Sequence, residues 1–256
     1  MSIGKRAKKN NKKIRIIFVV FLTLIFILAI LYLTIYFYNS NKNRNLYENL
    51  KRYLAQGELS QINSTFVEKV KELQQENIDV KGWIIIEGTN INYPLLRGTD
   101  NNFYMAHNYK KQESKHGSIM INSNSDLKDV NSNVIIYGHD MKDGQMFQNL
   151  LKYEDKEFYN THSIIKIATD EEELEYQIIY IFKSRVFYKD ERNVFKYYQH
   201  YNFKSESEYN EYLDNCRKIQ LYDTGVTARY GEQLITLITC EYSQKNSRMV
   251  IVAKRK

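Results

Sequence analysis

The sequence predicts a mainly β protein: an eight-stranded barrel outside a membrane, preceded by one transmembrane helix and short N-terminal helices, with a helix inserted between strands 6 and 7. Two observations predict this fold. An uncharged apolar run fills residues 16–38, and from Trp83 onward short runs rich in β-branched and aromatic residues alternate with polar turn segments. Long helices do not interleave regularly with these runs, which favours a closed or nearly closed barrel over a βαβ sheet.

Composition identifies a folded chain and limits its partners. Of the 256 residues, 43% are hydrophobic and 26% charged, with two cysteines, which excludes disorder and a disulfide scaffold. The formal net charge is +7, but seven of the 37 lysines and arginines lie in residues 1–15. Removing them leaves 30 basic against 30 acidic residues. The rest of the chain has no basic field for a phosphate backbone, so we expect no nucleic-acid partner.

Residues 16–38 are predicted to be a transmembrane signal anchor. As a helix this uncharged run extends about 35 Å, enough to cross a hydrocarbon core of about 30 Å. A buried core helix of this length would normally show a polar face, and residues 36–39 offer no small-residue cleavage site for a signal peptidase. The cations of residues 1–15 predict a basic cytoplasmic tail, which places residues 39–256 outside the cell.

Residues 39–80 are predicted to form a stalk followed by one or two amphipathic helices. The stretch 39–58 is polar and rich in Asn and Lys. Apolar residues then recur at helical spacing with charges between them. These apolar residues are Ile62, Phe66, Val70 and Leu73.

Residues 81–256 are predicted to form the barrel. Pro94, which cannot donate to a strand ladder, suits a strand edge or a turn. The acidic run 170–173 is interpreted as a solvated hairpin turn. The candidate strands are 83–86, 91–96, 117–122, 133–138, 163–169, 174–188, 233–240 and 248–255.

The inserted helix begins after Ser205, in a Ser-Glu-Ser-Glu sequence that makes a capping box. We expect it to dock on the barrel by an apolar face that includes Cys216, which is interpreted as a small buried hydrophobe. The face comprises Tyr209, Tyr212, Leu213, Cys216, Ile219 and Gln220.

Three side chains at the ends of predicted strands have complementary chemistry. Cys240 ends the seventh run, Arg248 begins the eighth, and His139 follows the fourth run after a glycine that permits a sharp turn. An imidazole can take the thiol proton and later protonate a leaving amine, and a guanidinium can stabilise the oxyanion of an acyl intermediate. Each residue alone also has a structural interpretation, but together they predict an acyl-transfer site at one mouth of the barrel.

The remaining histidines do not indicate a metal site. They form no HxH or HExxH pattern, and the chain has no CxxC pair. We therefore expect no metal and no cofactor. These histidines are His107, His116, His162 and His200.

The segment 236–240, Thr-Leu-Ile-Thr-Cys, resembles the TLxTC signature of sortases, with the histidine upstream on another strand and the arginine just downstream. Residues 137–142 with 146–147, the segment 92–96, and the helix between strands 6 and 7 are similar to class B sortases. The resemblance runs from about residue 83 to 254.

The resemblance implies a membrane-anchored cysteine transpeptidase with its catalytic domain outside a Gram-positive-type envelope. Such an enzyme cleaves a C-terminal sorting signal of secreted proteins through a thioester. It then transfers them to an amine of a peptidoglycan precursor or wall peptide. By position, Cys240 is the nucleophile, His139 the general acid/base and Arg248 the carbonyl and oxyanion partner. The implied substrate-binding residues are Asn101, Met105, Thr239 and Glu241, the last through its backbone N–H.

Two alternatives stay open. The first is a cell-wall thiol hydrolase, although common papain-like wall peptidases place Cys before His, and L,D-transpeptidases place His two residues before Cys. Here His139 precedes Cys240 by 101 residues. The second is a non-enzymatic membrane-anchored binding module in which Cys240 is buried and inert.

Overall fold

The computed structural model describes residues 3–59, 66–129, 132–240 and 246–256. It divides into two units, one ending at Leu46 and one beginning at Tyr47. Met1 and Ser2 of the predicted basic tail, Ile62 of the predicted amphipathic segment and Glu241 of the predicted site lie outside the described residues.

The first unit belongs to α1, a helix that runs from Ile3 to Leu59. Its most apolar stretch has a mean hydropathy of 3.2 and none of it is buried, so the helix is a candidate transmembrane span. The hydroxyls of Thr23 and Thr34 donate to the carbonyl oxygens four residues earlier. The polar groups of the apolar run are thereby satisfied within the helix, as a hydrocarbon environment requires.

The second unit begins with the last turns of α1 and with α2, Phe66–Glu76. The predicted stalk is therefore helical up to Leu59. The ring of Tyr47 packs edge-on against that of Tyr93, with centroids 5.1 Å apart. Val70 and Leu73 of α2 are buried, as the helical spacing of apolar residues predicts.

The predicted eight-stranded closed barrel is confirmed, and every strand overlaps its predicted run. The strand order around the barrel is β1-β2-β3-β4-β7-β8-β6-β5. The β2–β3 and β4–β7 pairs are parallel and the others antiparallel. The strands are β1 Val80–Ile85, β2 Asn92–Leu96, β3 Ile119–Ile121, β4 Asn133–Tyr137, β5 Ile164–Ala168, β6 Glu173–Arg185, β7 Leu234–Cys240 and β8 Ser247–Arg255.

Pro94 was expected at a strand edge or a turn, but it lies inside β2 and pairs with Trp83 of β1. It precedes the short ladder from β2 to β3, so its missing N–H interrupts no bond there.

The turn predicted from the acidic run agrees with the structure. Residues 169–172 connect β5 to β6, and the Thr169 hydroxyl accepts from two backbone N–H groups of this turn.

Two further helices are α3, Lys156–Thr161, and α4, Glu206–Ile219. Ser205 caps α4 by accepting from the Glu208 N–H, and the Glu208 carboxylate accepts from the Lys204 N–H. Ile219 was expected on the docking face but is 40% exposed, because the helix ends there and Gln220 is already extended. The buried face of α4 consists of Tyr209, Tyr212, Leu213 and Cys216.

This face packs on the outside of the barrel. Alternate residues of the strands meet it, because successive side chains of a strand point to opposite faces of the sheet. The strand residues in this cluster are Ile135 of β4, Ile179, Tyr180 and Phe182 of β6, where an irregularity interrupts the alternation, Leu234 and Ile238 of β7, and Val250 and Val252 of β8.

Substituting Cys216 tests this packing. Cys216 is fully buried, and burial raises the pKa of its thiol. We expect Cys216→Ala to lower the free energy of unfolding by about 1 kcal/mol, because a small cavity replaces the sulfur. Urea unfolding followed by fluorescence of Trp83, the only tryptophan, measures the change. In the folded wild type Cys216 should resist alkylation by iodoacetamide, and rapid labelling would contradict the packing described here.

Candidate active site

The site is built on the parallel pairing of β4 with β7. Register pairs run from Asn133 with Leu234 to Tyr137 with Ile238. The contact continues one residue further, because the Gly138 N–H donates to the Ile238 carbonyl at 3.1 Å. The two residues of each pair are 101 positions apart in the sequence, and so are His139 and Cys240. Extending the register therefore places His139 and Cys240 side by side at the two strand ends.

Gly138 lets the chain leave β4 in close contact with the core. A Cβ atom at this position would lie 2.6 Å from Ile119 Cδ1 and 2.6 Å from the Phe147 ring. Only glycine fits there without displacing those groups. The Gly138 carbonyl accepts from the Thr239 hydroxyl at 2.8 Å, which ties the end of β4 to β7.

The backbone and the ring of His139 are both held. Its carbonyl accepts from the Phe147 N–H at 2.9 Å. Its Nε2 lies 2.8 Å from the Met105 carbonyl oxygen. Because a carbonyl oxygen can only accept, Nε2 carries the proton and donates. In the neutral imidazole, Nδ1 is then the nitrogen that can take a proton.

Cys240 and Arg248 face each other across the β7–β8 pair. Directly opposed residues of an antiparallel pair project from the same face of the sheet, with Cβ atoms about 5 Å apart. Cys240 is a free, half-buried thiol, in contrast to the sealed Cys216. One arm of the Arg248 guanidinium donates to the Ser247 carbonyl at 2.8 Å, which steadies the side chain.

Cys240, His139 and Arg248 line one cavity of about 260 Å³. They were expected at one mouth of the barrel, but the structure places them on its outer face. By strand alternation, Cys240 projects on the same side as Ile238, which packs with α4 on the outside. The cavity is therefore a cleft between the sheet and the connections that cross it, with strand ends as its floor.

The predicted substrate-binding residues differ in what they offer to the cavity. Asn101 lines it, and its side-chain oxygen accepts from the Ser123 N–H, so the amide nitrogen is the end that can donate to a ligand. Met105 lines it and is 47% exposed. Thr239 also lines it but is 1% exposed, with its hydroxyl already bound to Gly138. Glu241 lies outside the described residues.

Aromatic residues that the sequence analysis left without a role form much of the remaining wall. Tyr197 is fully buried, burial raises the pKa of its phenol, and its hydroxyl has no hydrogen-bond partner among the described residues. The Tyr137 hydroxyl accepts from the Asn122 amide at 3.2 Å. Tyr197 belongs to a Tyr-Tyr pair within residues 194–203, a stretch after β6 that is rich in aromatic residues, and this pattern could have indicated a buried anchor. The wall comprises Met105, Met120, Tyr137, Val186, Tyr197 and Tyr198.

An ion pair joins the two ends of the segment 185–191, which contributes Val186 to the cavity wall. Arg185 at the end of β6 makes two hydrogen bonds to Glu191, at 2.9 and 2.5 Å. The Tyr188 N–H donates to the same carboxylate at 2.8 Å. The Arg185 guanidinium and this N–H together lower the pKa of Glu191 to about 2. The carboxylate therefore gathers residues 185–191 into a closed loop beside the cavity.

Comparison with known proteins decides the family. The family model described as the sortase domain matches residues 84–256. The chain belongs to the sortase family. Sortase B of Listeria monocytogenes is 30% identical over 220 residues, covering 85% of this chain and 86% of that protein. This relative and the helix between strands 6 and 7 make the chain a class B sortase.

Solved structures agree with this sortase in fold. A Staphylococcus aureus sortase B–substrate complex superposes with a TM-score of 0.71 at 26% identity, covering 84% of this chain and 95% of that one. Clostridium perfringens sortase B superposes with a TM-score of 0.65 at 32% identity, covering 73% and 98%. The sortase is therefore a cysteine transpeptidase. It acts on proteins with sorting signals and on an amine acceptor, as a membrane-anchored surface enzyme.

The Arg185–Glu191 pair predicts a pH dependence of stability. A carboxyl whose pKa is depressed in the folded state stabilises the fold above its unfolded pKa, and this contribution is lost as pH falls through the folded value. We expect Glu191→Gln to be less stable than wild type at pH 7, and the difference to shrink as pH falls from about 4.5 towards 2.

Urea unfolding at several pH values, followed by Trp83 fluorescence, measures this difference. Glu211→Gln, a matched change on the exposed side of α4, is the control. A Glu191→Gln deficit that stays constant down to pH 2.5 would contradict the assigned origin of the shift.

Proposed function

We propose that Cys240, His139 and Arg248 are the catalytic residues of this sortase. The supporting observation is that all three line one cleft at aligned strand ends, although His139 precedes Cys240 by 101 residues. An inert structural cysteine would not need a half-exposed position beside an imidazole and a guanidinium, and Cys216 of the same chain provides the contrast.

The reaction begins when the Cys240 thiol gives its proton to Nδ1 of His139 and Sγ bonds to the scissile carbonyl carbon. The negative charge moves to the carbonyl oxygen, where the Arg248 guanidinium stabilises it. The backbone N–H of Glu241, outside the described residues, is proposed as a second donor. The C–N bond then breaks, the leaving nitrogen takes the proton from His139, and a thioester remains on Cys240.

Transfer requires an amine to reach this thioester before water does. The cleft wall is mainly apolar and aromatic, which limits the water around the acyl group. Asn101 and Met105 are proposed to contact the sorting signal, the first through its free amide end and the second through its exposed side chain. Thr239 is proposed to act indirectly, by holding the turn that carries His139.

The partners are proposed to be secreted proteins with a C-terminal sorting signal and an amine of a peptidoglycan precursor or wall peptide. Residues 1–15 would lie in the cytoplasm, 16–38 in the membrane, and 39–80 would join the membrane to the catalytic barrel, 81–256, outside. The basic residues before the apolar run support this orientation. Substrate and acceptor tethered to the same membrane would reach the enzyme at raised effective concentration.

One experiment tests the transpeptidase chemistry directly. The full chain in detergent micelles is incubated with a library of candidate sorting peptides, and the adduct on Cys240 is identified by mass spectrometry. Triglycine is then added. We expect an acyl adduct on Cys240 and a ligated product whose yield rises with triglycine. Turnover to hydrolysed peptide that triglycine does not divert would favour a wall hydrolase, and processing by Cys240→Ala would exclude the proposed nucleophile.

The role of Arg248 predicts a specific loss. We expect Arg248→Lys to fold normally and to lose about 10²-fold in kcat, because an ammonium lacks the planar fork that holds the oxyanion. Arg255→Lys, on the same strand at the opposite end of β8, is the matched control and should keep wild-type turnover. Wild-type turnover in Arg248→Lys would show that the guanidinium does not contact the reacting carbonyl.

A further inference from the structure

We propose that a buried hydrogen-bonded pair, His116–Asp143, positions the His139 imidazole for acyl transfer. The inference rests on the proposed role of His139. His116 and Asp143 do not line the cleft, so they are positioning residues and do not touch the substrate. The argument depends on which two chain segments they join.

The pair is close and almost completely shielded from solvent. His116 Nε2 lies 2.7 Å from Asp143 Oδ2, and the two side chains are 5% and 9% exposed. The same carboxylate accepts from the side-chain amide and the backbone N–H of Gln145, at 2.8 and 3.2 Å. Buried charge-assisted bonds of this kind are strong, and loss of one partner leaves a buried polar group without its match.

Asp143 belongs to the same loop as His139. The loop is closed at its base by the bond from the Phe147 N–H to the His139 carbonyl and by a bridge between Asp140 and Met146. The Gly144 N–H donates to the Met141 carbonyl and forms the turn at its tip. The Asp143 contact and the His139 ring therefore lie on one short, internally bonded unit.

His116 belongs to a segment that packs against Met105, whose carbonyl oxygen accepts the hydrogen bond from His139. The adjacent Gly117 packs directly on the backbone of Tyr104 and Met105, since a Cβ atom there would lie 2.6 Å from the Met105 carbonyl oxygen. That oxygen is the acceptor for His139 Nε2. The Ser118 N–H donates to the Tyr104 carbonyl at 2.8 Å, which fixes the two stretches together.

The loop 139–147 is thus joined to the packed stretches around Met105 and His116 at two points. One is the hydrogen bond of the proposed catalytic imidazole, and the other is the buried pair. If the pair is lost, the loop keeps its internal bonds but can shift relative to the Met105 carbonyl. A displacement of about 1 Å at a catalytic group costs up to about 10²-fold in rate. The pair therefore acts on the rate of acylation and not on peptide binding.

The test compares variants of the full chain in detergent micelles, with an active peptide from the sorting-signal library and triglycine. We expect His116→Leu to lower kcat and the single-turnover rate of Cys240 acylation at least about 10-fold, with KM within about twofold of wild type. His116→Gln retains a donor of similar reach and should recover most of this loss. Asp143→Asn, which keeps the volume but removes the charge, should lower kcat at least about threefold.

Tyr176→Phe is the control for a general loss of stability. It removes another buried hydrogen bond, from Tyr176 to Gln233, at the end of β7 opposite to Cys240. We expect it to lower the free energy of unfolding while kcat stays at the wild-type value. If His116→Leu fails to fold, the isosteric Asp143→Asn decides, and wild-type kcat in that variant would overturn the proposal.

His139→Ala is measured in parallel. An active His139→Ala enzyme would overturn the proposed site itself. An inactive one, with His116→Leu and Asp143→Asn both at wild-type kcat, would overturn only the positioning role. A fall in kcat of the same size in Tyr176→Phe would also overturn it, because the effect would then follow stability.

Discussion

The parallel pairing of β4 with β7 is the interaction on which the site depends. A parallel pair cannot be joined by a short hairpin, so the chain between these strands builds β5 and β6, two of the eight strands, and α4 before it returns. The register then determines which residue of each strand lies beside the other at their ends. A slip of one residue would turn Cys240 towards the barrel interior, while His139 stayed on the outer face.

The antiparallel β7–β8 pair places Arg248 beside Cys240, and the two residues are only eight positions apart in the sequence. Cys240 and Arg248 oppose each other in a continuous ladder, so one residue from each of three adjacent strands or strand ends meets on one face. Strands hold side chains more rigidly than loops do, which suits chemistry that tolerates little displacement. The connections supply the remaining walls of the cleft, and the Arg185–Glu191 and His116–Asp143 pairs brace two of them.

Much of the fold followed from local patterns. The eight strands and α4 carry clear alternation, helical spacing and capping signals, and strand-end placement singled out Cys240, His139 and Arg248. The position of the site on the outer face could not be predicted from the sequence. Strand alternation determines which residues share a face of the sheet, but it does not determine which face lines the interior of the barrel. Tyr197 and the His116–Asp143 pair were also missed, since their partners lie in irregular connections whose contacts no short-range pattern records.

The contrast between the two cysteines has a consequence for oxidative damage. Cys216 is buried on the face of α4 that packs against the barrel, and it is the only other thiol of the chain. A sulfenic acid formed on Cys240 by peroxide therefore has no resolving cysteine within the folded molecule. It cannot be protected as an internal disulfide, so only small thiols or a separate reductase can restore this thiol before further oxidation becomes irreversible.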